Sequence, residues 1–221
     1  MRLTEKYSFK QYFDDRWYRL SVGGMWKKIG ELQFTFIVNQ GLQQHHKLLD
    51  VGCGALRGGR HFINYLDKGN YYGIDADDDL VDCAHRELKE HKLTDKNPTI
   101  VRRSNFDFTV FDTEFDYAIA ISVFTHIPLN DIIKCLIRME KALKSGGVLY
   151  ATFFEANSKR DIYPIAQVEE DSVVITNQGK DPYHYPLDVF RWICKDTELE
   201  VEYIGEWGHP RSQKMLKFTK I

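Results

Sequence analysis

The sequence predicts a doubly wound α/β fold: a mostly parallel, seven-stranded sheet with helices on both faces, plus an N-terminal helical lid. Three observations carry this. From about Lys47 onward, short apolar runs alternate with segments of helical periodicity. The first run ends in a glycine-rich turn, Asp50-Val51-Gly52-Cys53-Gly54, of the kind that leads from a strand into a helix beside a nucleotide. The 221 residues, 43% hydrophobic and 28% charged, are enough for one well-buried domain and short for two.

The elements follow in order. Lys47 to Val51 reads as the first strand and Arg60 to Leu66 as the helix after its turn. Tyr71 to Ile74 is a second strand, ended by Asp75, and Leu80, Ala84 and Leu88 give Leu80 to His91 helical spacing. Thr99 to Arg102 is a third strand; Tyr117 to Ser122, a fourth, is apolar enough to lie centrally. Asn130 or its neighbour is expected to cap the next helix, whose buried face is Ile132, Ile133, Leu136, Ile137 and Leu143, with Gly146-Gly147 as its stop. Val148 to Phe154 is the fifth strand. Leu187 to Asp196 reads as a helix, and Glu200 to Ile204 and Met215 to Thr219 as the last two strands, joined by a loop containing His209-Pro210-Arg211. Residues 1–44 form a separate aromatic-rich helical extension. Residues 45–221 form the domain itself, with an insertion over the sheet edge at about 155–185.

Composition excludes some functions. The 30 basic and 32 acidic side chains leave a charge of −2, which argues against a binder of nucleic-acid backbones. Met1 to Gln11 lacks the apolar core of a signal peptide, and the longest apolar run, around Tyr117 to Ile121, is far too short for a membrane span. Cys53, Cys83, Cys135 and Cys194 lie far apart with no CxxC pair, so neither a metal site nor a disulfide framework is expected and a reducing cytoplasm fits best.

Glycines at 52 and 54 let the backbone approach a ligand where a Cβ would collide. The dinucleotide fingerprint fails, because Arg57 stands where its third glycine belongs. Asp50 beside these glycines would repel a pyrophosphate and suits a cationic ligand, such as a sulfonium carrying an ammonium group. Asp75, at the end of the second strand, is placed to accept both hydroxyls of a ribose.

Leu48-Leu49-Asp50-Val51-Gly52-Cys53-Gly54 resembles motif I of the class I (Rossmann-like) S-adenosylmethionine-dependent methyltransferases. Tyr72-Gly73-Ile74-Asp75 resembles their second motif, and Phe115 to Ala120 with Leu143 to Leu149 is similar to their later ones. The likeness covers roughly Lys47 to Phe154. It departs from the commonest GxGxG form at Leu56, which replaces the third glycine. The resemblance implies S-adenosylmethionine as cofactor and an antiparallel last strand. It also implies that Gly52 and Gly54 line the methionine part, that Asp75 holds the ribose, that Asn105 and Phe106 meet the adenine, and that Ile121 and Ser122 lie beneath the sulfonium. Asp50, Cys53, Arg57 and Ala76 complete the implied cofactor set. Trp26, with Trp17, Tyr18 and Met25, is expected to fold over the cofactor; the plainer alternative is packing on the sheet with no ligand contact.

A sulfonium is an activated methyl donor, so positioning contributes most of the acceleration. A base helps only where the acceptor is a hydroxyl or a protonated amine. Ligands in such sheets bind outside the carboxyl ends of the strands, which makes His126, His184 and His209 the candidate catalytic residues and Tyr183 and Arg211 the candidate substrate contacts. His126 is the first choice, because its loop emerges beside the transferable methyl. Its plainer reading is a helix-entry histidine satisfied by backbone, and Arg211 equally reads as solvated surface. The fourth strand continues Ile121-Ser122-Val123-Phe124, not the Asn/Asp-Pro-Pro-Tyr of enzymes that modify planar amino nitrogens, and no Pro-Cys or acidic metal cluster follows. The expected activity is therefore metal-free methylation of an oxygen or nitrogen of a small molecule, a sugar or secondary metabolite by analogy of fold. A non-catalytic S-adenosylmethionine-binding scaffold and an NAD-dependent oxidoreductase are the alternatives.

Overall fold

The central strands carry apolar residues on both faces, and this forces a three-layer arrangement. The computed structural model describes residues 16–156, 165–169, 172–176 and 181–221; residues 1–15 of the expected lid and much of the expected insertion lie outside them. All four residues of β1 (Leu48–Val51) are buried, with Leu49 and Val51 in one core cluster and Leu48 in another. The alternation repeats in β4 (Phe115–Ala120), where Ala118 and Ala120 belong to the first cluster and Ile119 to the second. Such two-faced burial is the mark of a parallel sheet covered on both sides.

Between them run α3 (Gly59–Tyr65), β2 (Tyr71–Asp75), α4 (Asp78–Glu90) and β3 (Thr99–Arg102). After β4 come α5 (Leu129–Ala142), β5 (Leu143–Glu155), the hairpin β6 (Ile165–Glu169) with β7 (Ser172–Thr176), and β8 (His184–Tyr185). The chain ends in α6 (Leu187–Cys194), β9 (Leu199–Gly205) and β10 (Lys214–Lys220), and it begins with α1 (Tyr18–Ser21) and α2 (Trp26–Asn39). The main path of the sheet is β3-β2-β1-β4-β5-β10-β9, with β8 pairing on the end of β5 and bringing the total to eight strands. Among the described residues, β10 alone runs opposite to the other strands of this sheet. The order reverses at β1, whose neighbours are β2 and β4, and that is where such folds bind ligands. Helices α5 and α6 cover one face through Ile132, Leu136, Met139 and Phe190; α2, α3 and α4 cover the other through Ile37, Phe62, Ile63 and Leu88.

Several boundaries differ from expectation. Pro128, not Asn130, precedes α5, and no side chain caps it. The helix buries Ile132, Cys135, Leu136 and Met139, a stripe at helical spacing; Ile137 falls off that stripe and is 44% exposed. Gly146-Gly147 does not stop the helix, because Leu143 already pairs with Phe115 as the start of β5. The pair sits inside the strand, where a Cβ on Gly147 would lie 2.9 Å from the Phe115 carbonyl oxygen. No helix among the described residues is long and apolar enough to cross a membrane.

The N-terminal elements are anchored by charge as well as by apolar contact. Glu87 of α4 is fully buried and accepts hydrogen bonds from the Tyr18 hydroxyl and from Arg19 at 2.7 Å. Burial raises the Glu87 pKa, but the Tyr18 and Arg19 bonds outweigh it and leave the carboxyl below the usual range. Replacing Glu87 with Gln should cost about 1.5–3 kcal/mol of stability at pH 7, the range for hydrogen bonds to a charged group. A group with a depressed folded pKa stabilises above its unfolded pKa and loses that contribution as pH falls through the folded value. Denaturant titrations of parent and Glu87→Gln should therefore converge in acid; a constant difference at every pH would contradict the charge-based anchor.

Candidate active site

A cavity of about 530 Å³ opens at the carboxyl ends of β1 and β4, within the usual range for small-ligand sites. The turn after β1 forms one wall. Gly52 has φ +69°, and a Cβ there would lie 2.6 Å from the Val123 side chain, so only glycine lets the turn close under the β4 loop. Leu56, at the place of the missing third glycine, keeps a left-handed backbone at φ +66° while its side chain is fully buried in the core beside α3. That conformation costs a non-glycine residue roughly 1–2 kcal/mol, which the buried side chain offsets.

Two carboxylates stand behind this turn. Asp50 is 7% exposed and accepts a 2.6 Å hydrogen bond from the Tyr71 hydroxyl. Burial pushes its pKa up to about 7; Asp75 adds to the rise, while the Tyr71 bond and Arg57 oppose it. Gly59 makes the bond possible, since a Cβ there would overlap the Tyr71 hydroxyl. Asp75 accepts the Gly54 N–H at 2.8 Å and the Asp77 N–H at 2.9 Å; burial raises its pKa, and these backbone bonds pull it back. The Cys53 thiol also lines the cavity, and burial holds its pKa well above the usual value, so it remains a neutral thiol.

The opposite wall carries cationic and neutral donors. Arg57 is 8% exposed and donates to the Val22 carbonyl at 2.6 Å, while its Nε is buried with no hydrogen-bond partner. Burial, then Arg211, lowers its pKa to about 10, so it stays charged at neutral pH. Arg211 donates to the Gly23 carbonyl at 2.5 Å. These two bonds fasten Ser21–Gly23, the bend between α1 and α2, along the cavity edge. His126 lines the mouth, and its Nδ1 meets Asp181 at 3.0 Å.

The cavity thus gathers Asp50, Gly52, Cys53, Gly54, Arg57, Asp75, Ile121, Ser122, His126 and Arg211 from the residues singled out in the sequence. Others lie outside it. Trp26 packs edge-on against Tyr18, with the Arg19 and Arg60 guanidiniums over its ring; α1 and Ser21–Gly23, not this indole, approach the cavity. Ala76 does not line it. Asn105 is exposed and accepts the Asp107 N–H with its side chain, and Phe106 packs on the first core cluster. His184 stacks on Phe154, and Tyr183 stacks on Tyr185. His209 is 5% exposed, stacked on Trp207, and accepts the Arg211 N–H at Nδ1. Burial, with Arg57 and Arg211 nearby, lowers its pKa to about 3, so the ring is neutral throughout the physiological range. Sequence reasoning missed Gln33, Phe154, Asp181 and Gln213. Of these, only Gln213 carried a signal, its nearness to the loop at His209-Pro210-Arg211. Among the described residues, Glu87, Glu90 and His91 come within ligand distance of one another for a metal, but they sit at the C-terminal end of α4 and do not line the cavity.

The family described as a methyltransferase domain matches residues 49–149, which run from β1 into β5. An uncharacterized methyltransferase of Schizosaccharomyces pombe is 23% identical over 168 residues, covering 74% of this chain and 58% of that protein. The sterol 24-C-methyltransferase of Clavispora lusitaniae is 26% identical over 165 residues, covering 73% of this chain and 42% of its own. The chain spans about half the length of these curated relatives. Among solved structures, an amino pentose methyltransferase from Micromonospora echinaspora with S-adenosylmethionine bound aligns over 100% of this chain and 98% of its own. Its TM-score is 0.66 at 13% identity, a likeness of fold. The methyltransferase-domain family is thus matched by sequence over residues 49–149, and the whole chain has the fold of an S-adenosylmethionine-dependent methyltransferase.

Proposed function

We propose that this chain transfers the methyl group of S-adenosylmethionine to an oxygen of a small molecule, without a metal ion. The observation that carries the cofactor half is the buried Asp50 carboxylate beside the positive-φ turn at Gly52, with Asp75 one strand away. A buried carboxyl with a raised pKa is a group waiting for a cation, and the ammonium of the methionine part is one. The unpartnered Nε of Arg57 suits the methionine carboxylate, and Asp75 retains lone pairs for the ribose hydroxyls. Bound S-adenosylmethionine supplies a methyl group already activated on a sulfonium.

The chain's own residues then orient the acceptor and hold its proton. Asp181 accepts the Nδ1–H of His126, leaving Nε2 as the proton acceptor. An acceptor hydroxyl held there would give its proton to that nitrogen as its oxygen takes the methyl group that bound S-adenosylmethionine would supply, leaving the neutral thioether. The sterol relative is named for a carbon target; the pairing of His126 with a carboxylate favours oxygen here, because a neutral amine needs no base. The fit of the cavity to a cationic, carboxylate-bearing ligand disfavours the nicotinamide reading. The scaffold alternative predicts cofactor binding with no turnover on any acceptor.

Two experiments test this reading. S-adenosylhomocysteine binding, measured by calorimetry, should strengthen as pH rises through about 7, where Asp50 ionises. Tyr71→Phe should move that rise to higher pH, because it removes the bond that favours the carboxylate; an affinity flat with pH in both proteins would take Asp50 out of the site. In a screen of acceptors with tritiated methyl donor, His126→Ala should lower kcat by about 10²–10⁴ with cofactor affinity unchanged. Full turnover in that variant would move the reading to an acceptor that is already nucleophilic.

A further inference from the structure

One side chain of the cavity has a role that neither the cofactor nor the base accounts for. Gln213, at the foot of β10, is only 2% exposed and yet lines the cavity. Its Oε1 accepts the Thr152 hydroxyl at 2.7 Å and the Ser122 hydroxyl at 3.1 Å. Thr152 Oγ1 itself accepts the Ser122 N–H at 2.7 Å, which leaves the threonine proton for Gln213 and fixes which way the amide faces. The Gln213 carbonyl takes the indole N–H of Trp207 at 2.9 Å. The side chain is thus held at its oxygen, while its Nε2 finds no acceptor among the described residues. Beside it, Ser122 keeps a left-handed backbone at φ +60°, a strain that persists where neighbours over-determine it. The network on Gln213 and Thr152 supplies that constraint.

We propose that Gln213 is an acceptor-binding residue: its amide N–H groups hold an oxygen of the methyl acceptor, so the subsite takes a hydroxyl-bearing molecule and disfavours an amine. This rests on the methyltransferase reading above. A hydroxyl oxygen has two lone pairs and can accept an N–H bond while attacking the methyl carbon with the other. A neutral amine has one lone pair, and an N–H donor aimed at it competes with the attack. As the hydroxyl proton moves to His126, charge grows on the oxygen and the Gln213 bond strengthens. The same contact that selects the acceptor therefore favours the transition state.

The test uses the full chain saturated with S-adenosylhomocysteine and a matched pair of probes, phenol and aniline, which share a shape and differ in OH against NH2. The Gln213 side-chain NH2 signal in a ¹⁵N spectrum is identified by its loss in Gln213→Glu, which keeps an oxygen for Thr152 and Ser122. Phenol at millimolar concentration should move that signal, and aniline should move it several-fold less. Gln213→Glu and the volume-matched Gln213→Met should each bind phenol about tenfold more weakly, with S-adenosylhomocysteine affinity unchanged. A signal that neither probe moves, equal shifts from both, or unchanged phenol affinity in the two variants would overturn the proposal. Failure of S-adenosylhomocysteine to bind the parent, measured first, would instead overturn the methyltransferase reading beneath it.

Discussion

The hydrogen bond from Tyr71 to Asp50 ties the sheet to the site. A carboxylate buried at the end of the first strand is costly without a partner, and this one has a hydroxyl at 2.6 Å. The bond has demands of its own. Tyr71 must project from β2 on the face that Leu48 shares, which the parallel register of β1 and β2 provides. Gly59 must lack a Cβ so that the hydroxyl can pass, and this fixes the start of α3. The geometry of the glycine turn, the entry of its helix and the charge of the cavity thus answer to one contact.

Much of the fold was legible because its signals are local. Strand β3 is found at its predicted bounds, Thr99 to Arg102, and the turn at Gly52 adopts the positive φ that its glycine implied. The errors fall where local signals conflict with pairing. Gly146-Gly147 reads as a helix stop in isolation, but β4 offers Phe115 as a strand partner to Leu143, four residues before Gly147, and that pairing takes over first. Asn130 has the chemistry of a cap, but Pro128 already supplies the extended backbone that starts α5.

The candidate site was legible where its residues lie close together in the chain and silent where they do not. Asp50, Gly52 and Asp75 fall within one βαβ unit, where spacing along the chain is nearly spacing in the fold. Asp181 meets His126 across 55 positions, and Gln213 meets Ser122 across 91. Those distances are set by the topology of β5, β8 and β10, so no pattern in the sequence marks them. His209 shows the converse: a histidine on the right loop, turned by Trp207 and Arg211 into a buried neutral ring.

The Ser21–Gly23 bend couples the extension to the same chemistry. Two cationic groups, Arg57 from the motif turn and Arg211 from the loop before β10, hold it by its carbonyls. A carbonyl is a weaker partner for a guanidinium than a carboxylate is. An anionic ligand group would meet Arg57 at its unpartnered Nε, beside the Nη1 that holds the Val22 carbonyl. At its outer end the extension is held by the buried Glu87, through Tyr18 and Arg19, none of which lines the cavity. The segment is thus held at two places, by a buried carboxylate at α4 and by two guanidiniums at the cavity.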